Sequence, residues 1–162
     1  VTFLVPYDGS YLSNAALTRA TEYAEALDED VVAVTVIPED HKGYAIDKNW
    51  LDEDEEFDVQ TITSSVHEQV VEIAPEASFR HERSPTSAPE AIATEIQRIA
   101  DDEIPSVVFL GSDNAGRVVT PVTSVAGTVA DDAEYDVHIV RHFSPTAIQE
   151  IESSGEYPSE SR

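Results

Sequence analysis

Phe3-Leu4-Val5-Pro6-Tyr7-Asp8-Gly9-Ser10 is the stretch that decides the fold. Phe3 to Val5 read as a short buried strand, and Pro6 with the turn pair Asp8-Gly9 stops it. A helix pattern begins at once. Leu12, Ala15, Ala16, Ala20, Tyr23, Ala24 and Leu27 recur at spacings of three and four, so they share one face. Ser10 or Ser13 supplies its cap. Asp28-Glu29-Asp30 closes it, and Val31-Val32-Ala33-Val34-Thr35-Val36-Ile37 follows. A β-branched run of that kind is a strand covered on both faces. Strand, helix, buried strand is the unit of a parallel sheet.

The rest of the chain repeats the unit. The stretch 38–54 is polar and reads as irregular. Val59, Ile62, Val66, Val70 and Ile73 mark a second helix, ended by Pro75. The run Glu53-Asp54-Glu55-Glu56 reads as its solvated, dipole-favoured start. Residues 77–82 form a weaker outer strand. Ser87-Ala88-Pro89-Glu90 is a helix start with Ser as cap, and Ala91, Ile92, Ile96, Ile99 and Ala100 continue its inner face. Val107-Val108-Phe109-Leu110 is the next core strand and meets Gly111. Thr120-Pro121 opens a fourth helix, and Val137-His138-Ile139-Val140 is the last strand. Alternation of five strands with four helices implies right-handed crossovers and a doubly wound α/β fold. The domain is expected over residues 1–143, with a flexible acidic tail over 144–162.

Composition narrows the function. Among 162 residues, 33 are acidic and 9 basic, for a formal net charge of −24. Phosphate backbones need Lys and Arg, so direct binding of nucleic acid is not expected. The carboxylate coat and the presence of only two lysines, Lys42 and Lys48, point to a salt-rich, cytoplasmic setting. No segment reads as a membrane span or a signal peptide. With no cysteine, disulfides and zinc–thiolate sites are out. No pair of histidines has metal-ligand spacing.

In an open parallel sheet, ligands bind beyond the carboxyl ends of the strands, where strand order reverses. Two loops qualify: Pro6-Tyr7-Asp8-Gly9-Ser10 after the first strand, and residues 111–124 after the fourth. Val36, near the end of the second strand, offers a backbone edge between them. The second loop has the glycine spacing of a P-loop but Arg117-Val118 in place of Lys and Ser/Thr. The dinucleotide fingerprint and the nucleophile elbow are absent. Asp8 either contacts a ligand or only holds its turn through an Asx bond. His138 and His142 read as structural residues.

Val5-Pro6-Tyr7-Asp8-Gly9-Ser10, Val34-Thr35-Val36-Ile37, the helix start at Ser87 to Glu90, and Val108-Phe109-Leu110-Gly111-Ser112 together resemble the universal stress protein family over residues 1–142. The resemblance implies a five-stranded parallel domain of the adenine-nucleotide alpha-hydrolase-like type, with strand order 3-2-1-4-5. It implies a stress-response regulator without catalytic residues, for which ATP hydrolysis is at most slow and incidental. Members that bind ATP, with magnesium, carry Gly-x2-Gly-x9-Gly-[Ser/Thr] after the fourth strand. Transferred residue by residue, the contacts would be Pro6, Tyr7, Asp8, Gly9, Ser10, Val36, Leu110 and Gly111, then Asn114, Gly116, Arg117, Thr123, Ser124 and Val125. Asp8 would lie near adenine and ribose, Val36 would bond the base, and Gly111 would open the phosphate loop. Asn114 stands where the family has its second glycine, and Thr123-Ser124 falls one residue short of the usual spacing. Pairing Gly116 with Gly127-Thr128 overshoots by one. Arg117 is then the expected phosphate partner. Val137, His138, Ile139, Val140 and Arg141 form the dimer edge that the family implies. The alternative is a homodimeric interaction module whose crevice is vestigial.

Overall fold

The computed structural model describes residues 2–39, 41–111 and 135–141. Within them the elements run β1 (Thr2–Pro6), α1 (Tyr11–Leu27), β2 (Asp30–Pro38), α2 (Lys42–Asp47), α3 (Val59–Ile73), β3 (Ser78–Ser84), α4 (Pro89–Glu103), β4 (Val107–Gly111) and β5 (Asp136–Val140). The strands form one sheet in the order β3-β2-β1-β4-β5, and every pairing is parallel. The chain therefore steps outward from β1 to β3 on one side, then returns to place β4 and β5 on the other.

Side-chain alternation along the strands divides the core in two. Phe3, Val5, Val31, Ala33, Ile37 and Phe109 face α1 and α3, where they meet Ala16, Leu17, Ile62, Val66 and Val70. Leu4, Val32, Val34, Val36, Val108 and Leu110 face the other way and meet Ala93, Ile96 and Ile99 of α4. β2 is buried along almost its whole length, as its unbroken β-branched run requires. Each fully buried Leu, Ile or Val contributes about 1.5–3 kcal/mol of transfer free energy.

Three local readings are corrected. The stretch 38–54 is not simply irregular. It holds α2, and it buries Ala45, Trp50 and Leu51 against the core. A short helix followed by a buried tryptophan leaves no periodicity to detect. The acidic run Glu53 to Glu56 precedes α3 and is not its first turn; Asp58 is the cap, accepting from the Gln60 N–H at 3.1 Å. The cap of α4 is Ala88, without a side-chain bond; Thr86 instead accepts the Ala88 N–H at 3.3 Å. At α1, by contrast, Ser10 is the cap and accepts from the Ser13 N–H at 3.3 Å. The outer strand β3 runs Ser78–Ser84, slightly beyond the expected 77–82. The fourth helix expected at Thr120-Pro121 and the tail over 144–162 lie outside the described residues.

Candidate functional site

The order of the sheet puts the topological switch point between β1 and β4, the place where an open α/β sheet leaves a crevice. Helix α1 leaves β1 toward one face and α4 feeds β4 from the other, so among the described residues no crossover covers the carboxyl ends of this pair. A cavity of about 220 Å³ opens there. Pro6, Tyr7, Asp8 and Ser10 form one wall, and Leu110 and Gly111 another. Val34 and Val36 of β2 line it, as do Ile92 and Ile96 of α4. Its volume is below the roughly 300–1,000 Å³ of a site that encloses a whole drug-sized ligand. A longer ligand would extend outside it.

The loop after β1 is held by a dense set of bonds. The Ser10 N–H donates to Asp8 Oδ1 at 2.9 Å, which is an Asx turn. Ser13 Oγ receives the Asp8 N–H at 3.4 Å and donates to the Ser10 carbonyl at 3.0 Å. Gly9 has φ of 83°, a left-handed conformation that favours glycine. The turn was legible in Asp8-Gly9-Ser10; what fixes it from outside was not. Lys48 Nζ donates to Asp8 Oδ2 at 2.6 Å, and Trp50 Nε1–H donates to the Asp8 carbonyl at 3.0 Å. Both follow α2, in the stretch read as irregular. The signal for them was rarity: Trp50 is the single tryptophan and Lys48 one of two lysines.

Of the two roles expected for Asp8, the Asx turn is the one the geometry shows. It holds its own turn, and it lines the cavity with 28% of its side chain exposed. Burial pushes its carboxyl up, but the Lys48 charge and the hydrogen bonds from Lys48 and Ser10 outweigh burial and hold it below the usual carboxylate range. Tyr7 is buried at 3% exposure, and its hydroxyl donates to Asn14 Oδ1 at 2.7 Å. Burial, with the Asp8 and Glu72 carboxylates adding to it, pushes the phenol up to about 12. Tyr7 thus reaches the cavity as a neutral wall group.

β1 stops while β2 continues. The Tyr7 N–H donates to the Val34 carbonyl at 2.7 Å, the last backbone–backbone bond between their paths. Backbone groups alternate sides along a strand, so Val36 directs its N–H and carbonyl to the same edge as Val34, beyond the end of β1. The Thr35 hydroxyl seals the layer behind by donating to the Tyr7 carbonyl at 2.8 Å. At Gly111, a Cβ would lie 2.6 Å from the Leu12 carbonyl carbon and oxygen and 2.8 Å from the Ser13 nitrogen. The glycine is required by the approach of α1 to the end of β4, whatever occupies the crevice.

The structure thus brings together Pro6, Tyr7, Asp8, Ser10, Val36, Leu110 and Gly111, with Gly9 in the turn behind them. Asn114, Gly116, Arg117, Thr123, Ser124 and Val125 lie outside the described residues. Among the described residues, no group of His, Asp and Glu is arranged to hold a metal ion, and no helix is long and apolar enough to cross a membrane.

A model of the universal stress protein family matches residues 2–141. None of the curated proteins compared matches the chain. Solved structures are similar to it in fold. A universal stress protein in complex with cAMP is 20% identical, with 88% of this chain and 97% of that one covered at a TM-score of 0.57. A universal stress protein from Lactobacillus plantarum is 18% identical, with coverage of 87% and 97% and a TM-score of 0.57. The universal stress protein from Archaeoglobus fulgidus in complex with dAMP is 17% identical, with coverage of 86% and 97% and a TM-score of 0.55.

Proposed function

This chain belongs to the universal stress protein family, and from that premise we propose that it is a regulatory stress-response protein of the cytoplasm that binds an adenine nucleotide between the loops after β1 and β4. The observation that carries this reading is the crevice at the switch point. It offers apolar walls for a flat base at Val36, Ile92 and Leu110, a backbone edge at Val36, and a fixed carboxylate at Asp8. Two proteins of similar fold hold adenine nucleotides, cAMP in one and dAMP in the other, which supports the choice of base. In this reading Asn114, Gly116, Arg117, Thr123, Ser124 and Val125 complete the site toward the phosphates. The protein acts through the bound state and not through turnover; hydrolysis of ATP, if measured, is slow and incidental. The decisive experiment is to purify the protein in molar KCl without added nucleotide, denature it, and analyse what is released. Calorimetric titration with MgATP in the same salt follows. Retained adenine nucleotide or saturable heat supports the reading, whereas neither would leave the crevice vestigial and the protein an interaction module.

The same proposal includes a homodimer through β5. This strand ends the sheet, and its Ile139 is 45% exposed. A half-exposed isoleucine on an edge strand suits pairing with a second copy. Ile139→Glu would set a carboxylate against its own image across a two-fold axis. Light scattering should then show a dimer for the wild type and a monomer for the variant at equal concentration. A wild-type monomer, or a variant dimer of undiminished strength, refutes the edge.

A further inference from the structure

We infer that Lys48 is the residue by which this crevice selects an anionic adenine nucleotide over the neutral nucleoside, with Asp8 as its positioning residue; the inference rests on the nucleotide-binding reading above. Lys48 lies just beyond α2 and lines the cavity. It is held there on two sides. Asp8 Oδ2 is 2.6 Å away, and the Tyr44 ring centre is 5.5 Å from Nζ. Asp8 is itself fixed by the Ser10 N–H, and Trp50 ties the segment after α2 to the Asp8 carbonyl. Lysine is a flexible point charge whose ordering normally costs side-chain entropy. Here folding has already supplied the order, so the charge stands ready at 23% exposure.

The charge pattern around it points to an anion. The chain carries 33 carboxylates in 162 residues. The fifteen residues lining the cavity carry one, Asp8, and it is matched by Lys48. Among the described residues, the lining of the crevice is therefore neutral, in a chain whose net charge is −24. A nucleotide phosphate approaching elsewhere meets repulsion. At this window it meets a partly buried ammonium, and a contact of that kind is screened by salt less than a fully exposed one. A charged hydrogen bond formed only by the nucleotide predicts at least about tenfold tighter binding than adenosine.

The test compares adenosine, AMP and ATP by calorimetry in molar KCl, with wild type, Lys48→Met and Lys48→Arg. Wild type should prefer AMP or ATP over adenosine by about tenfold or more. Lys48→Met should reduce the preference for nucleotide over adenosine by about tenfold, and Lys48→Arg should restore most of it. The preference ratio, unlike absolute affinity, does not move if the substitution only loosens the Asp8 loop. A further variant, Asp8→Asn with Lys48→Met, avoids leaving an unmatched carboxylate and should show the same lost preference. Equal losses for adenosine and nucleotide in Lys48→Met, or an unchanged ratio, overturn the inference and leave the nucleotide-binding reading intact. Wild type that binds none of the three compounds overturns both.

Discussion

At the scale of the residue, Asp8 is the group whose surroundings make a clear statement about pH. Its carboxyl is held below the usual range, because the opposing effect of burial is outweighed by Lys48 and by the hydrogen bonds of Lys48 and Ser10. A carboxyl depressed in the folded state adds stability above its unfolded value, about 3.9, and loses it as pH falls through the folded value. Asp8→Asn keeps an oxygen for the Ser10 N–H and removes the charge. Wild type should therefore exceed this variant in stability by about 1.5–3 kcal/mol near neutral pH. In urea denaturation the difference should be flat above about pH 5 and shrink below about pH 4. A difference independent of pH would show that the ion pair with Lys48 adds nothing beyond the shape of the turn. The sequence made Asp8 and its Asx turn legible, because Asp-Gly-Ser after a strand carries its own local chemistry. Rarity marked Lys48 but did not pair it with Asp8, forty residues away, since an ion pair between distant segments leaves no periodic trace.

At the scale of the element, periodicity made long segments legible and short ones obscure. Helices α1 and α3 and strands β2 and β4 appear at the expected places because each buries a regular face. Helix α2 has six residues and one buried side chain, Ala45, too few to mark a face. At α4 a local capping pattern suggested Ser87, yet the backbone turns at Ala88 and Thr86 supplies the bond. Contact between elements also escaped the sequence, and Gly111 is the clearest case. Expected at the start of a ligand loop, it is also the point where β4 meets the first turn of α1. Its missing side chain is required by backbone atoms of Leu12 and Ser13, which cannot swing aside as a side-chain tip would. Gly111→Ala should therefore destabilise the protein by about 1–3 kcal/mol, seen as a lower urea midpoint with an unchanged slope. A midpoint equal to that of wild type would mean that α1 shifts at no cost. This loss would weaken any ligand indirectly, so a substitution at Gly111 is a poor probe of binding, and Lys48 is a better one.

At the scale of the whole molecule, the charge of −24 sets the conditions under which the rest holds. The nine basic side chains cannot neutralise the surface. Several are gathered into clusters. Arg80 joins Glu82 to Asp102 and Glu103 at 3.0–3.2 Å, and Arg98 bridges Glu95 and Glu82, so edge strand β3 is clasped to α4. The excess carboxylates elsewhere, such as Asp28, Glu53 and Glu56, are exposed and repel one another through solvent. Repulsion of this kind reaches about 10 Å at 0.1 M salt and about 3 Å at 1 M. The thermal midpoint should thus rise steeply with KCl over that interval and then level off. Salt also acts by exclusion from protein surface, which would continue to rise at higher concentration and would not depend on charge. The two effects separate on lowering the pH toward about 4.3, where many of the carboxylates are protonated. Screening predicts that the KCl dependence shrinks there, and exclusion predicts that it persists. A midpoint indifferent to KCl at neutral pH would contradict the salt-rich setting inferred from the composition. It would also remove the reason for treating the neutral crevice around Asp8 and Lys48 as a window in a repulsive surface.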